Sequence, residues 1–364
     1  MTNIFNYRIL NNVVFFIIII ILLSFLVSFF WSYPFNEVFF FWDSRINFFD
    51  NNLINLNTSI FAERLTLWNS NETAAGSSRA DAYIKAYPIF LEYILQNIFG
   101  FYNSQFFQFF ITNSITWLSS FFLFRKISLK LINDQNFFYS FLFSLFYTLS
   151  FFYAVLIYTN PVNGFIYYFS FLPLNLVIFL YFLENKNNIF VFFLSSFLLS
   201  INISHLSLFM VTIYWYLFLF VLFINDHKYK KKFLFTCIFI YFLSSLPLLI
   251  PVILDGTSKL DFHISAVGGN YLDIFKHFSS LIKTITFNSY YNFLMQHLQN
   301  WGNWTNFFIN NKLFSLIHLI VFILSIYLIL QTSKKYKNIS IRLIILLFIS
   351  LFIVTLPTNF FEIF

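Results

Sequence analysis

Long apolar runs separated by short polar segments recur from one end of the chain to the other. Runs at 12–31, 105–124, 137–158, 165–183, 189–204, 206–224, 233–254, 313–330 and 341–356 read as membrane-crossing helices, since about 20 apolar residues cover the roughly 30 Å of bilayer hydrocarbon. The fifth and sixth runs are joined tightly at 202–205, so one of the two is short or broken. The segment 87–100 is apolar as well, but it has 14 residues and contains Glu92 and Gln96. That pattern suits a helix lying in the interface plane rather than a span. After 12–31 comes WSYPFNE rather than a small-residue cleavage site, so the first run is predicted to be an uncleaved transmembrane helix. The pattern predicts an all-α integral membrane protein, one polytopic domain over 1–364 with about nine spans. Two long extramembrane loops, 32–104 and 255–312, interrupt it.

Composition agrees. Of the 364 residues 59% are hydrophobic and 61 are Phe, while only 10% are charged. A soluble domain carries about 25% charged residues, and this chain has too few to cover a water-facing surface. Gly and Pro number seven each, which removes fibrous repeats and low-complexity disorder. The single cysteine, Cys237, allows no intrachain disulfide. No P-loop, dinucleotide fingerprint, HExxH or Cys/His cluster occurs, and no inverted pair of halves of the transporter kind is visible.

Charge sets the sides. The formal net charge of +7 is spread in short blocks between apolar runs, which points to membrane orientation and not to nucleic acid. With the N-terminus inside and 87–100 not crossing, the inner segments hold Arg8, Arg125, Lys126, Lys130, Lys186, Lys228, Lys230, Lys231, Lys232, Lys334, Lys335, Lys337 and Arg342. That is 13 of 21 basic residues, as the positive-inside bias requires. The 227–232 block, HKYKKK, is drawn to anionic lipid of the inner leaflet. Ten of 14 acidic residues fall in the two outer loops, and the spans are nearly free of ionisable groups apart from His205 and His318 near their ends. Ion-coupled transporters place charges at mid-membrane; here the polar chemistry is expected at the outer surface. The predicted location is the plasma membrane, multi-pass, with a cytoplasmic N-terminus.

The first loop opens FFFWDSRINFFDNN. Asp43 follows an aromatic run, so partial desolvation near the headgroups would raise its pKa and favour a role as base, while Arg45 opposes that shift. Transfer from a lipid-borne phosphate donor needs a carboxylate to deprotonate the acceptor and cations to hold the departing phosphate. Asp43 equally fits a helix cap or an ion-pair partner of Arg45, and Glu63 is the rival base. Arg64 and Arg79, then Lys85, are the candidate phosphate ligands, and each also fits a headgroup-binding surface role. Asp81 can steer Arg79, join Asp43 around a divalent cation, or do neither; no metal ligand set is assigned. In the second loop Trp301 and Trp304 fit interfacial anchors better than sugar-stacking faces.

The order Asp43, Leu67-Trp68-Asn69, Gly76, Ala82-Tyr83, Tyr87-Pro88 resembles the N-terminal region of the GT-C membrane glycosyltransferases, most closely the α-(1→3)-arabinofuranosyltransferase family. Asn160-Pro161 and the Asn202 hinge are similar to later features of that family. The resemblance implies a GT-C-like helical bundle whose large first extracytoplasmic loop carries interfacial helices. It further implies an inverting transferase that moves a sugar from a polyprenyl-phosphate donor to a glycan or glycolipid acceptor on the outer face. Asp43 is then the catalytic base, with Arg45, Arg64, Trp68, Arg79, Asp81, Tyr83 and Lys85 on the substrates. Ser77, Ser78, Arg79 and Asp81 stand where the family has a Gln/Asn-rich run, and Asn47 stands at its second acidic position, so arabinofuranose is not carried over. Some relatives use a divalent cation and others none. Family members are longer, which implies either a minimal version or a fragment. The rival classes are a membrane glycan polymerase or flippase, of which a flippase would line its interior with Arg or Lys at depth, and a non-enzymatic assembly subunit, which would not depend on Asp43.

Overall fold

The structure, a computed structural model, describes residues 2–32, 68–69, 77–78, 86–131, 137–148, 164–185, 188–203, 206–223 and 231–266, with individual helical residues between 316 and 348. By internal contacts the chain forms two compact units, Met1–Asp255 and Gly256–Phe364. Among the described residues the first unit is helical except for one two-residue ladder. Its helices are α1 Thr2–Ser32, α2 Ala86–Phe99, α3 Phe101–Leu131, α4 Phe137–Thr148, α5 Gly164–Asn185, α6 Ile189–Ser200, α7 Leu206–Phe223 and α8 Lys231–Ala266, the last of which has its residues after Asp255 in the second unit. In the second unit, the described residues within 313–330 and 341–348 are helical.

Three described stretches, Phe106–Lys130, Tyr167–Glu184 and Lys231–Ile250, are long and apolar enough to cross a membrane; Val13–Phe29 and Leu208–Phe223 are shorter apolar helices. The surface settles which solvent surrounds them. Phe190 is 64% exposed, Phe235 69% and Phe239 59%, whereas Ser24, Ser120, Ser196 and Thr212 are fully buried. Water would penalise so many exposed aromatics. In lipid, large apolar side chains face the solvent, and small or hydroxylated residues let helices approach. The protein is an all-α membrane protein.

Ring contacts fix the helix directions. Phe16 on α1 meets Phe121 on α3 at 6.1 Å, and Phe25 meets Phe106 at 5.3 Å, so the two helices are antiparallel. Asn113 Nδ2 donates to Ser28 Oγ at 3.1 Å across the same seam. Ile20, Trp117, Phe121 and Phe137 form the core where α1, α3 and α4 meet. α3 and α5 run parallel: Gln108 bonds the Tyr167 hydroxyl near one end, and Lys126 pairs with Glu184 near the other.

Pro173 lies inside α5. It has no N–H to offer the carbonyl four residues back, which belongs to Phe169. The Tyr147 hydroxyl on α4 donates to that carbonyl at 2.8 Å. Hydroxyls from neighbouring helices are how proline-containing spans keep their backbone groups satisfied in lipid. Ser200 Oγ, at the end of α6, reaches the Ser244 carbonyl of α8 at 3.1 Å and ties those two helices together.

Two predicted boundaries change. The helix α8 continues through 255–266, where a loop was expected. Apolarity reports the edge of the hydrocarbon, but a formed helix extends one bond per residue beyond it, and Asp255 and Lys259 sit at the favourable i, i+4 spacing. The fifth run is the short one: α6 has 12 residues, a rise of about 18 Å. Asn188 caps its start, its side chain accepting from the Phe190 N–H at 2.9 Å. Its end is a turn at Ile201 and Asn202, where buried Asn202 donates through Nδ2 to the Leu198 carbonyl at 2.9 Å. The segment predicted to lie in the interface forms a separate helix, α2, with Pro88 in its first turn. Gly100, at φ +77°, ends it before α3 begins.

Candidate functional site

Trp68 and Asn69 form strand β1, and Ser77 and Ser78 form β2. They pair antiparallel, Trp68 opposite Ser78 and Asn69 opposite Ser77. The Leu-Trp-Asn turn of the sequence motif is thereby joined to the stretch that leads into Arg79. Trp68 is placed by its backbone alone. Asp43, Arg45, Glu63, Arg64, Arg79, Asp81, Tyr83 and Lys85 lie outside the described residues, as do Asn160-Pro161, Trp301 and Trp304.

The described polar chemistry lies inside the bundle, in a network that the sequence reading did not single out. Asn175 on α5 is its hub. Its Nδ2 donates to Ser195 Oγ at 2.8 Å and to Ser196 Oγ at 3.4 Å on α6, and its Oδ1 accepts from the Tyr216 hydroxyl on α7. About two helical turns toward the N-terminal end of α5, Tyr168 bonds Thr212 and the Leu208 carbonyl on α7, and Thr212 accepts from the Tyr241 hydroxyl on α8 at 2.9 Å. Tyr216 stacks on Phe179 at 4.5 Å and Tyr241 on Phe209 at 5.0 Å. Asn175, Tyr168, Tyr216 and Tyr241 are at most 1% exposed. Every member is a neutral amide or hydroxyl, so the network fixes the mutual rotation of four helices. It supplies neither a carboxylate base nor a cation for a phosphate. The available signal was a lone Asn in the run 165–183, seven residues after Tyr168 and so on the same face.

One ionic cluster is described. Glu184, near the end of α5, pairs with Lys126 at 2.8 Å and with Lys130, both on α3. Lys126 Nζ also sits 3.1 Å from the Tyr181 ring centroid, and Arg125 lies over Phe137 at 4.0 Å. Lys130 faces the Phe223 ring at the end of α7, and Phe182 meets Phe233 at the start of α8. The cationic termini of α3 and α8 therefore share one end of the bundle. Among the described side chains Glu184 is the single carboxylate, and no group of three or more His, Cys, Asp or Glu comes together there.

The class defined by these features is a polytopic α-helical membrane protein with a neutral, hydrogen-bonded interior and a basic end. No family model, curated protein or solved structure matches the chain.

Proposed function

We propose that the chain is an inverting membrane glycosyltransferase of GT-C type. It takes a sugar from a polyprenyl-phosphate donor and passes it to a glycan or glycolipid acceptor at the extracytoplasmic face of the plasma membrane. The observation that carries this reading is the spacing from Asp43 through Leu67-Trp68-Asn69 and Gly76 to Tyr87-Pro88. Two structural features support it. The β1–β2 ladder joins two parts of that motif, and the one described carboxylate, Glu184, is held by two lysines, which directs the search for a base to the long loops. In the reaction Asp43 takes the proton of the acceptor hydroxyl, whose oxygen attacks the anomeric carbon. The bond to the polyprenyl phosphate breaks, and Arg64 or Arg79 holds the departing anion. Asp81, Arg45, Lys85, Trp68 and Tyr83 orient donor and acceptor. Nine spans with a cytoplasmic N-terminus follow from the charge bias, and the shared basic end of α3 and α8 supports that arrangement. The test is turnover by purified protein with a panel of polyprenyl-phosphate sugars. Replacing Asp43 by Asn lowers kcat by roughly 10²–10⁴-fold if it is the general base; unchanged turnover removes Asp43 from the mechanism.

A further inference from the structure

Between α7 and α8 an open groove of about 610 Å³ faces outward, lined by Phe209, Ile213, Phe235, Thr236, Phe239 and Phe242. Its walls are apolar and largely aromatic. The Thr236 hydroxyl, its described polar wall group, is turned onto the Lys232 carbonyl at 2.8 Å. Helical spacing joins this groove to a charge. Lys232, Phe235, Thr236 and Phe239 stand at i, i+3, i+4 and i+7 on α8 and so share one face. Helical side chains lean toward the N-terminus, which brings the groove wall toward Lys231 and Lys232. Both lysines are exposed, and the first turn of α8 holds no acidic residue. The carboxylate described at this end of the bundle, Glu184, is engaged by Lys126 and Lys130.

We propose that this face binds an anionic glycerophospholipid, with its phosphate at Lys231 and Lys232 and one acyl chain lying along the aromatic groove. Charge complementarity at the mouth and an apolar wall directly above it match the two halves of that ligand. The polyprenyl-phosphate donor of the proposed reaction is a different ligand, because the basic end is the cytosolic one under the positive-inside bias and the transfer site is opposite.

The test uses the full chain in detergent micelles, with bound lipid read by native mass spectrometry. Phosphatidylglycerol and phosphatidylcholine with identical acyl chains are supplied at equal concentration, with polyprenyl phosphate as competitor in a further arm. The wild type retains phosphatidylglycerol over phosphatidylcholine by on the order of 25-fold, about fivefold per lysine. Combining Lys231→Gln with Lys232→Gln removes that preference. Phe235→Ala with Phe239→Ala lowers retention of both lipids while leaving the thermal transition in place, since both rings are more than half exposed. No headgroup preference in the wild type, a preference that survives loss of both lysines, or retention indifferent to the two phenylalanines overturns the proposal. Displacement of phosphatidylglycerol by equimolar polyprenyl phosphate would reassign the groove to the carrier lipid. The readout is binding without turnover, so it stands or fails separately from the glycosyl-transfer reading.

Discussion

Tyr147→Phe removes one oxygen from a side chain whose ring can stay in place, and the consequence is predictable from Pro173. In wild type the Phe169 carbonyl receives the Tyr147 hydroxyl at 2.8 Å because position 173 has no N–H. Interhelical hydrogen bonds in membrane proteins are worth about 0.6 kcal/mol on average and up to about 1.7. This one serves a carbonyl whose helical donor is missing, so about 1 kcal/mol is expected, roughly a fivefold change in the unfolding constant. In a Pro173→Ala background the amide of residue 173 can bond Phe169 directly, and the same Tyr147→Phe change then costs close to nothing. The assay is a double-mutant cycle on reversible unfolding in mixed detergent micelles, with a coupling energy near 1 kcal/mol predicted. Equal cost of Tyr147→Phe in both backgrounds would refute the idea that the hydroxyl substitutes for the missing amide.

Asn175→Leu leaves the Tyr216 hydroxyl and two serines without their hub. A loss of about 2 kcal/mol is expected in the same unfolding assay, and Tyr216→Phe should cost less in the Asn175→Leu background than in wild type. Glu184→Gln removes the carboxylate that pairs with buried Lys126 and with Lys130 and should cost about 3 kcal/mol. Lys130→Met should cost clearly less, since Lys126 keeps its partner. Gly100→Ala meets no atom within 4 Å, so its expected penalty of about 1 kcal/mol comes from the left-handed backbone at φ +77° alone; a penalty near zero would show that the α2–α3 junction relaxes.

The helices were legible because lipid imposes a length on apolar runs. Five predicted runs fall within or across α1, α3, α5, α7 and α8, and the tight join at Asn202 required one of two runs to be short, which α6 is. What hydropathy could not show is where a helix stops once it has left the hydrocarbon, hence the extension of α8 to Ala266. It also averages away single polar residues. Asn175 is one amide among leucines and phenylalanines, yet it joins three helices, and its importance depends on Ser195 and Tyr216, which are remote in sequence. The motif around the proposed site was readable as spacing, and spacing alone does not reveal pairing. That Trp68 stands opposite Ser78 in a ladder is a pairing between residues ten apart, which no spacing pattern states.

Sidedness tests the central claim most directly. Cys237 is fully buried, so it should stay silent toward a membrane-impermeant maleimide and leave introduced thiols as the reporters. In sealed right-side-out vesicles, Ser44→Cys, beside Asp43, should label at once, while Lys231→Cys should label only after the membrane is permeabilised. Labelling of both from the same side, or protection of Ser44→Cys until permeabilisation, would contradict an extracytoplasmic transfer site opposite the basic end of the bundle.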